Sequence, residues 1–191
     1  MGMPKKSQRQ LFENGRQAFT IGHSTRPIED FLSLLTSHSI QHLVDVRTVP
    51  RSRTNPQFNK DLLPKSLSKA GIEYTHVSAL GGLRKPKPNS PNAGWRNLSF
   101  RGYADHMQSP EFARELNRLF EWIEHERIAL MCAEAVPWRC HRSLIADALT
   151  VRGIEVLEIL NASKTQIHRM TPFAKIQGLQ ITYPPEALPD A

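Results

Sequence analysis

Five short apolar runs alternate along this chain with segments of helical period, and that alternation limits the folds open to it. The runs are Ala18–Gly22, His42–Val46, Ile72–Val77, Ile128–Cys132 and Ile154–Ile159. Between the first two, Thr25 stands as a helix cap and Pro27 in a first turn, with Ile28, Phe31, Leu32 and Leu35 at helical spacing. A short helix is expected over Lys60–Lys69, ended by Gly71. Ser109 and Pro110 open a strongly amphipathic segment with Phe112, Leu116, Leu119, Phe120 and Ile123 on one face. A last helix is expected from about Cys140 to Arg152, stopped by Gly153. Strands joined by helices pair in parallel, and a parallel sheet needs cover on both faces. The expected fold is therefore α/β, a single three-layer domain with a mainly parallel five-stranded sheet, helices on both faces and a flavodoxin-like strand order.

The domain is expected over residues 18–160, between a basic polar tail at 1–17 and a proline-punctuated extension at 161–191 packing on the surface. A length of 191 residues suits one domain with a sizeable core. No apolar run approaches the roughly 20 residues that span a bilayer, so no membrane partner is expected. The N-terminal segment has no apolar core of the kind a signal peptide carries. With only two cysteines as well, free thiols in a reducing cytoplasm are expected. The net charge is +7. Much of it is local: Arg47, Arg51, Arg53, Lys60, Lys65, Lys69, Arg84, Lys85 and Lys87 face only Asp61 and Glu73 in the same stretch. Such a block favours an anionic partner, either a small molecule or a nucleic acid, and is otherwise a solvated basic face.

In sheets of this kind ligands bind beyond the carboxyl ends of the strands. The costly residues of this chain collect there. Gly22-His23-Ser24 follows the first strand, and Asp45-Val46-Arg47 ends the second, with Arg51 and Arg53 just beyond. Leu80-Gly81-Gly82 follows the third, and Cys132-Ala133-Glu134 ends the fourth. The turn after the fourth strand then carries Arg139, Cys140, His141 and Arg142. A long stretch with Pro86, Pro88 and Pro91 lies between Gly81 and Ser99, a length usual for a lid or binding loop.

Each candidate has a bland reading beside the functional one. Gly22 permits close backbone approach, and His23 is a base or simply bonds a neighbouring carbonyl. Asp45 and Arg47 share a strand face, so they pair as a salt bridge or orient a guanidinium toward an anion. Ser24, Arg51, Arg53 and Arg142 extend the anion-binding set. Cys132 is an inert core thiol or a nucleophile. Glu134, at the end of a buried strand, needs a partner among Arg47, Arg139, Arg142 or the N–H groups of the following helix. That helix N-terminus would depress the Cys140 pKa and hold an anion near His141 and Arg142. Tyr103 is expected to pack beside the long loop, and Trp95 and Trp138 are packing aromatics or stacking surfaces for a base.

Three chemistries fit the cysteine turn. Cysteine-dependent phosphoryl or sulfur transfer would use Cys132, although the spacing to Arg139 is one residue longer than in a phosphatase loop and the turn has no glycine. Metal binding is set aside, because adjacent Cys140 and His141 do not easily chelate one ion and no close CxxC pair is present. General acid–base chemistry by Glu134 and His23 on a substrate held by the arginines uses the most residues.

The combination of Thr20-Ile21-Gly22-His23-Ser24, Asp45-Val46-Arg47 with Pro50-Arg51-Ser52-Arg53, Leu80-Gly81-Gly82, and Cys132-Ala133-Glu134 with Cys140-His141-Arg142 resembles a bacterial family known as domain of unknown function 488. The resemblance covers about Phe19 to Leu160 and implies a compact cytoplasmic α/β domain; it brings no settled activity. The expectation is thus an enzyme acting on a phosphate-containing or other anionic substrate. Glu134, His23 and Cys132 are its catalytic candidates, supported by Asp45, Gly22, Cys140, His141 and Tyr103. The alternatives are a non-catalytic nucleic-acid-binding module and a cysteine-dependent phosphatase or sulfurtransferase. No cofactor follows from the motifs.

Overall fold

A computed structural model describes residues 15–185, so most of the expected N-terminal tail and the last six residues lie outside it. The chain runs β1 (Gln17–Gly22), α1 (Ile28–Ser37), β2 (His42–Asp45), α2 (Leu63–Lys69), β3 (Glu73–His76), α3 (Leu98–His106), α4 (Pro110–His125), β4 (Ile128–Cys132), α5 (Arg142–Thr150), β5 (Glu155–Asn161) and β6 (Lys164–Ile167). A hairpin of β7 (Lys175–Gln177) and β8 (Gln180–Thr182) follows. Short 3₁₀ turns interrupt the loops at Pro56–Phe58, Ser78–Leu80 and Pro137–Arg139. The sheet is six-stranded in the order β3-β2-β4-β1-β5-β6. All its pairings are parallel except that of β6, which runs antiparallel to β5.

The three-layer α/β class is as expected, while the strand order is not that of flavodoxin. Here β1 lies between β4 and β5, and β4 separates it from β2. Successive side chains of a strand face opposite layers. Phe19, Ile21, Leu43, Ala129 and Met131 therefore pack with α1 and α2, through Phe31, Leu35, Leu63 and Leu67. Ala18, Val44, Ile128, Leu130 and Cys132 face α3, α4 and α5 instead. The connections after β1 and β2 thus cross one face, and the connection after β4 crosses the other.

Two expectations about helix ends are corrected. Pro27, not Thr25, stands at the N-terminal boundary of α1, without a side-chain cap. The long stretch, expected to run to Ser99, ends at Asn97, which caps α3 (Leu98–His106) by accepting from the Ser99 and Phe100 N–H groups. Ser109 caps α4 as anticipated, accepting from the Phe112 N–H.

The irregular stretch from Gly81 to Asn97 is tied down by one buried carboxylate. Asp105 accepts from the Lys87 N–H at 2.7 Å, the Ser90 hydroxyl at 2.6 Å and the Asn92 amide at 2.8 Å. Trp95 packs against Phe100, Phe173 and Tyr183, in the role of a packing aromatic. A second buried carboxylate, Asp147, gathers the segment beyond residue 160. It accepts from His168 at 2.8 Å, the Thr171 hydroxyl at 2.7 Å and the Tyr183 hydroxyl at 2.8 Å.

Candidate functional site

The ends of β1, β2 and β4 are locked side by side. Gly22 pairs with Cys132, and Asp45 with Met131. The pairing continues past the strand ends: the His23 N–H donates to the Cys132 carbonyl at 2.9 Å and the Ser24 N–H to the Ala133 carbonyl at 3.0 Å. Ser24 turns the chain away with a left-handed φ of 51°. Gly22 is required by close approach. A Cβ there would meet the Glu134 carbonyl oxygen and stand 2.7 Å from its carbon.

On the α1/α2 side of the sheet, Asp45, Arg47 and His23 form a closed chain. The fully buried Asp45 carboxylate accepts from the Arg47 Nε at 2.9 Å, an Arg47 terminal nitrogen at 2.6 Å, the Arg47 N–H at 3.1 Å and the Tyr74 hydroxyl at 2.8 Å. Burial, then the Asp45 carboxylate, push the Tyr74 hydroxyl pKa well up. Arg47 also donates to the Phe58 carbonyl at 2.7 Å. Its other terminal nitrogen lies 3.1 Å from His23 Nε2. His23 Nδ1 lies 2.7 Å from the Ser24 carbonyl, which can only accept, so Nδ1 carries the proton and Nε2 receives the arginine. The ring stacks on Phe58 at 4.1 Å. Burial above all lowers the His23 pKa. His23 is held neutral with both nitrogens engaged, which removes the free lone pair a general base needs. Arg47 is chiefly the structural partner of Asp45.

On the other side of the sheet lie Cys132, Cys140 and His141. The two sulfurs and a ring nitrogen of His141 all lie within 4.8 Å of one another. Cys140 and His141, an adjacent pair not expected to chelate one ion easily, thus turn their donor atoms toward a point they share with Cys132. The 3₁₀ turn at Pro137–Arg139 folds Cys140 back toward Cys132. His141 Nε2 lies 2.9 Å from the Val46 carbonyl, which leaves Nδ1 toward the sulfurs, 3.7 Å from Cys140 Sγ. Tyr103 backs this ring at 5.0 Å and donates to the Leu80 carbonyl at 2.9 Å. Burial pushes its hydroxyl pKa well up. Gly82 has no side chain because a Cβ there would stand 2.8 Å from the His141 Cγ.

The two thiols are unequal. The neighbouring Cys140 thiol lowers the Cys132 pKa against the opposing effect of burial, with His141 and the Glu134 N–H adding to it. Cys140 moves the other way: burial, then the neighbouring Cys132, raise it well above a normal thiol. The expected depression of Cys140 by the helix N-terminus is thus overturned. The Arg142 N–H does reach the Cys140 sulfur, at 3.5 Å, but burial outweighs it.

Arg142 is almost fully buried and faces backbone. Its terminal nitrogen donates to the Ile21 carbonyl at 2.7 Å and the Glu134 carbonyl at 3.2 Å. It braces the turn and does not line the cleft. Glu134 is exposed; its carboxylate accepts only from the Val136 N–H, at 3.4 Å, and meets none of the arginines proposed as partners.

A cleft opens over Cys132 along this edge. Its less polar part, about 310 Å³, is walled by Val49, Leu83, Phe100, Arg139, Cys140 and His141. Its more polar part, about 520 Å³, is walled by His23, Ser24, Thr25, Arg51, Ser52 and Asn55. Arg47, Val49, Cys132, Ala133 and Glu134 border both. Arg51 stands exposed at the rim, and Arg53, also exposed, lies beyond it. The sequence clusters therefore meet at one cleft, with Arg142 and Tyr103 behind its walls. Sequence reasoning gave no role to Tyr74, which holds Asp45, to Phe58, which holds Arg47 and His23, or to the Val46 carbonyl, which holds His141. Only the apolar run around Val46 hinted at any of them.

A second group of donors, His42, Glu73 and Glu126, lies at the opposite edge of the sheet. There His42 bonds Glu126 at 2.8 Å and Thr75 at 2.9 Å, which satisfies both of its nitrogens.

Fold and cleft together define a three-layer α/β protein with a paired-cysteine turn at the carboxyl edge of its sheet. The family described as domain of unknown function DUF488 matches residues 27–149, and the chain belongs to it. No curated protein and no solved structure matches the chain. No helix among the described residues is long and apolar enough to cross a membrane.

Proposed function

We propose that this protein is a cysteine-dependent enzyme acting on an anionic substrate, with Cys132 as its nucleophile. One observation carries the reading. Cys132 lies at the floor of the cleft, with the Cys140 sulfur and a His141 ring nitrogen within 4.8 Å of its own sulfur. Those groups favour the thiolate, the form that attacks. His141 Nδ1, on the sulfur side of its ring, is the natural acceptor of the displaced proton. The broader expectation of acid–base catalysis by His23 and Glu134 is less well supported, since His23 is locked neutral by Arg47 and Glu134 points to solvent. Arg51 at the rim supplies positive charge for the anion, with Arg139 on the opposite wall. Free thiols require a reducing compartment, so the cytoplasm is the location we propose.

The test compares two alkylating agents of similar shape. Anionic iodoacetate should modify Cys132 faster relative to a small free thiol than neutral iodoacetamide does, and Arg51→Glu should abolish that preference. If Cys132 reacts no faster than a free thiol with either reagent, the nucleophile assignment is wrong. Salt-dependent nucleic-acid binding that persists unchanged in Cys132→Ser would favour a non-catalytic nucleic-acid-binding module instead.

A further inference from the structure

We infer that the electrophile this cleft serves is sulfur: Cys132 and Cys140 form an attacking and resolving pair that reduces a disulfide carried on a molecule with an apolar part and an anionic part. The inference rests on Cys132 being the nucleophile and adds the substrate class and the role of Cys140.

Three features separate sulfur from phosphorus or carbon as the centre attacked. First, the turn does not form an anion cradle. The Val136 N–H is taken by the Glu134 carboxylate, the Arg139 N–H by the Val136 carbonyl at 3.1 Å and the Cys140 N–H by the Pro137 carbonyl at 3.0 Å. Arg142, which would clamp a phosphoryl group in such a loop, instead grips the carbonyls of Ile21 and Glu134. Second, Cys140 is the more deeply buried of the two thiols and its sulfur lies within 4.8 Å of the Cys132 sulfur, a position suited to attacking an adduct on its neighbour. Third, a thiolate is a good leaving group that needs no carboxylic acid beside it, and the carboxylate nearest Cys132 in the chain, Glu134, is exposed to solvent and not aimed at the sulfur. The cleft also has two characters. Val49, Leu83 and Phe100 offer apolar contact on one side of Cys132, and Ser24, Arg51, Ser52 and Asn55 offer polar contact on the other.

The exchange balances as follows. The Cys132 thiol gives its proton to His141 Nδ1, and its sulfur attacks one sulfur of the substrate disulfide. The substrate S–S bond breaks, one half leaves as a thiolate and takes the proton from His141, and the other half stays bound to Cys132. Cys140 then gives its proton to His141, and its sulfur attacks the Cys132 sulfur. The mixed disulfide breaks, a Cys132–Cys140 disulfide forms, and the second half leaves with that proton. The substrate gains two electrons and the protein loses two. A dithiol reductant restores the protein by the same exchange in reverse.

The aromatic, carboxylate-bearing disulfide 5,5′-dithiobis(2-nitrobenzoic acid) matches the two sides of the cleft and reports each leaving thiolate by colour. The reduced full chain should release two equivalents of coloured thiol and end as an internal disulfide with no added mass. Cys140→Ser should release one equivalent and retain a mixed disulfide on Cys132. A small dithiol should restore the wild-type protein. A wild-type chain that keeps an aromatic adduct on Cys132 would overturn the resolving role and leave the nucleophile in place. A Cys132 that reacts no faster than Cys140 in the folded chain would overturn the nucleophile as well. A purified protein whose two thiols are held by stoichiometric zinc, and react only after a chelator is added, would also overturn the proposal, because the same three donors would then be metal ligands.

Discussion

Replacing Asp45 with asparagine should unfold the site from beneath. The Asp45 side chain has no exposed surface and Arg47 is only 7% exposed. The carboxylate receives two guanidinium contacts, at 2.9 and 2.6 Å, together with the Tyr74 hydroxyl. Asparagine keeps the size and one accepting oxygen but removes the charge. A guanidinium left buried without its counter-ion costs about 3–5 kcal/mol. Against a total stability of roughly 5–15 kcal/mol, that is a large fraction. Urea denaturation followed by circular dichroism should show the midpoint falling by about 2 M, taking a slope of roughly 2 kcal/mol per molar. The melting temperature should fall by roughly 6–20 °C. A double-mutant cycle with Arg47→Met separates the pair from its surroundings, and the double variant should be much more stable than the two single losses added together. A loss below about 1 kcal/mol in Asp45→Asn, within the range of a solvent-screened surface pair, would refute the argument that this ion pair is dry.

Three further outcomes follow from the same geometry. Between pH 8 and pH 6 the alkylation rate of an ordinary thiol falls close to a hundredfold, roughly in step with its thiolate fraction. Cys132, held low first by the Cys140 thiol, should change by less than about threefold; mass spectrometry of the iodoacetamide product tests this, and Cys140→Ala should restore a steep profile. Gly22→Ala should cost about 1–3 kcal/mol and slow Cys132 alkylation, since the new Cβ meets Glu134 backbone that no rotamer change can clear; unchanged stability would sink the close-approach argument. Burial opposes charge on His168, but its bonds to Asp147 and Glu158 outweigh that and raise its pKa to about 9. Its contribution to stability is therefore full below about pH 6.5, the unfolded value, and is lost as pH rises toward 9. Thermal melts should fall over that window by roughly 2 kcal/mol after allowance for solvent screening, and His168→Gln should flatten the slope.

The layers of this fold are legible in the sequence because burial on both faces of a parallel sheet leaves a simple record. Ile128–Cys132 is apolar at every position, and β4 is buried at every position. The order of the strands leaves no such record. Nothing local distinguishes a β1 that neighbours β2 from one separated from it by β4, since both need the same apolar faces. α3 was hidden for a different reason. Its low apolar content and the glycine at 102 obscure the period, and what stabilises it is the Asn97 cap and the buried Asp105 network reaching back into the loop. At the site, the convergence of His23, Arg47, Cys132 and Glu134 on one edge followed from strand direction alone. Which thiol would be activated did not. That depends on which sulfur receives donors, and the fold-back at Pro137–Arg139 that brings Cys140 toward Cys132 is a tertiary event.

The different roles of these two chemically identical residues trace back to the sheet. The chain leaving β4 crosses to one face while the chains leaving its neighbours β1 and β2 cross to the other, so a crevice opens at the end of β4. Cys132 is the last residue of that strand and faces the α3–α5 layer, just below the crevice. The turn that follows must hold its backbone against two forces: solvation of its peptide groups and the entropy of an exposed loop. Arg142 and Gly22 supply the hold. The arginine binds the Glu134 carbonyl from beneath, and the glycine lets β1 approach the same carbonyl from the side. Residue 134 is thereby fixed beside Cys132, where its backbone N–H helps to lower the pKa of that thiol. An arginine that the motif suggests as an anion clamp thus acts on the chemistry at one remove, by positioning the backbone donor that favours the thiolate. The charge that meets the substrate belongs to the exposed Arg51 at the rim, and this division follows from burial: a guanidinium engaged with buried carbonyls cannot also turn toward solvent.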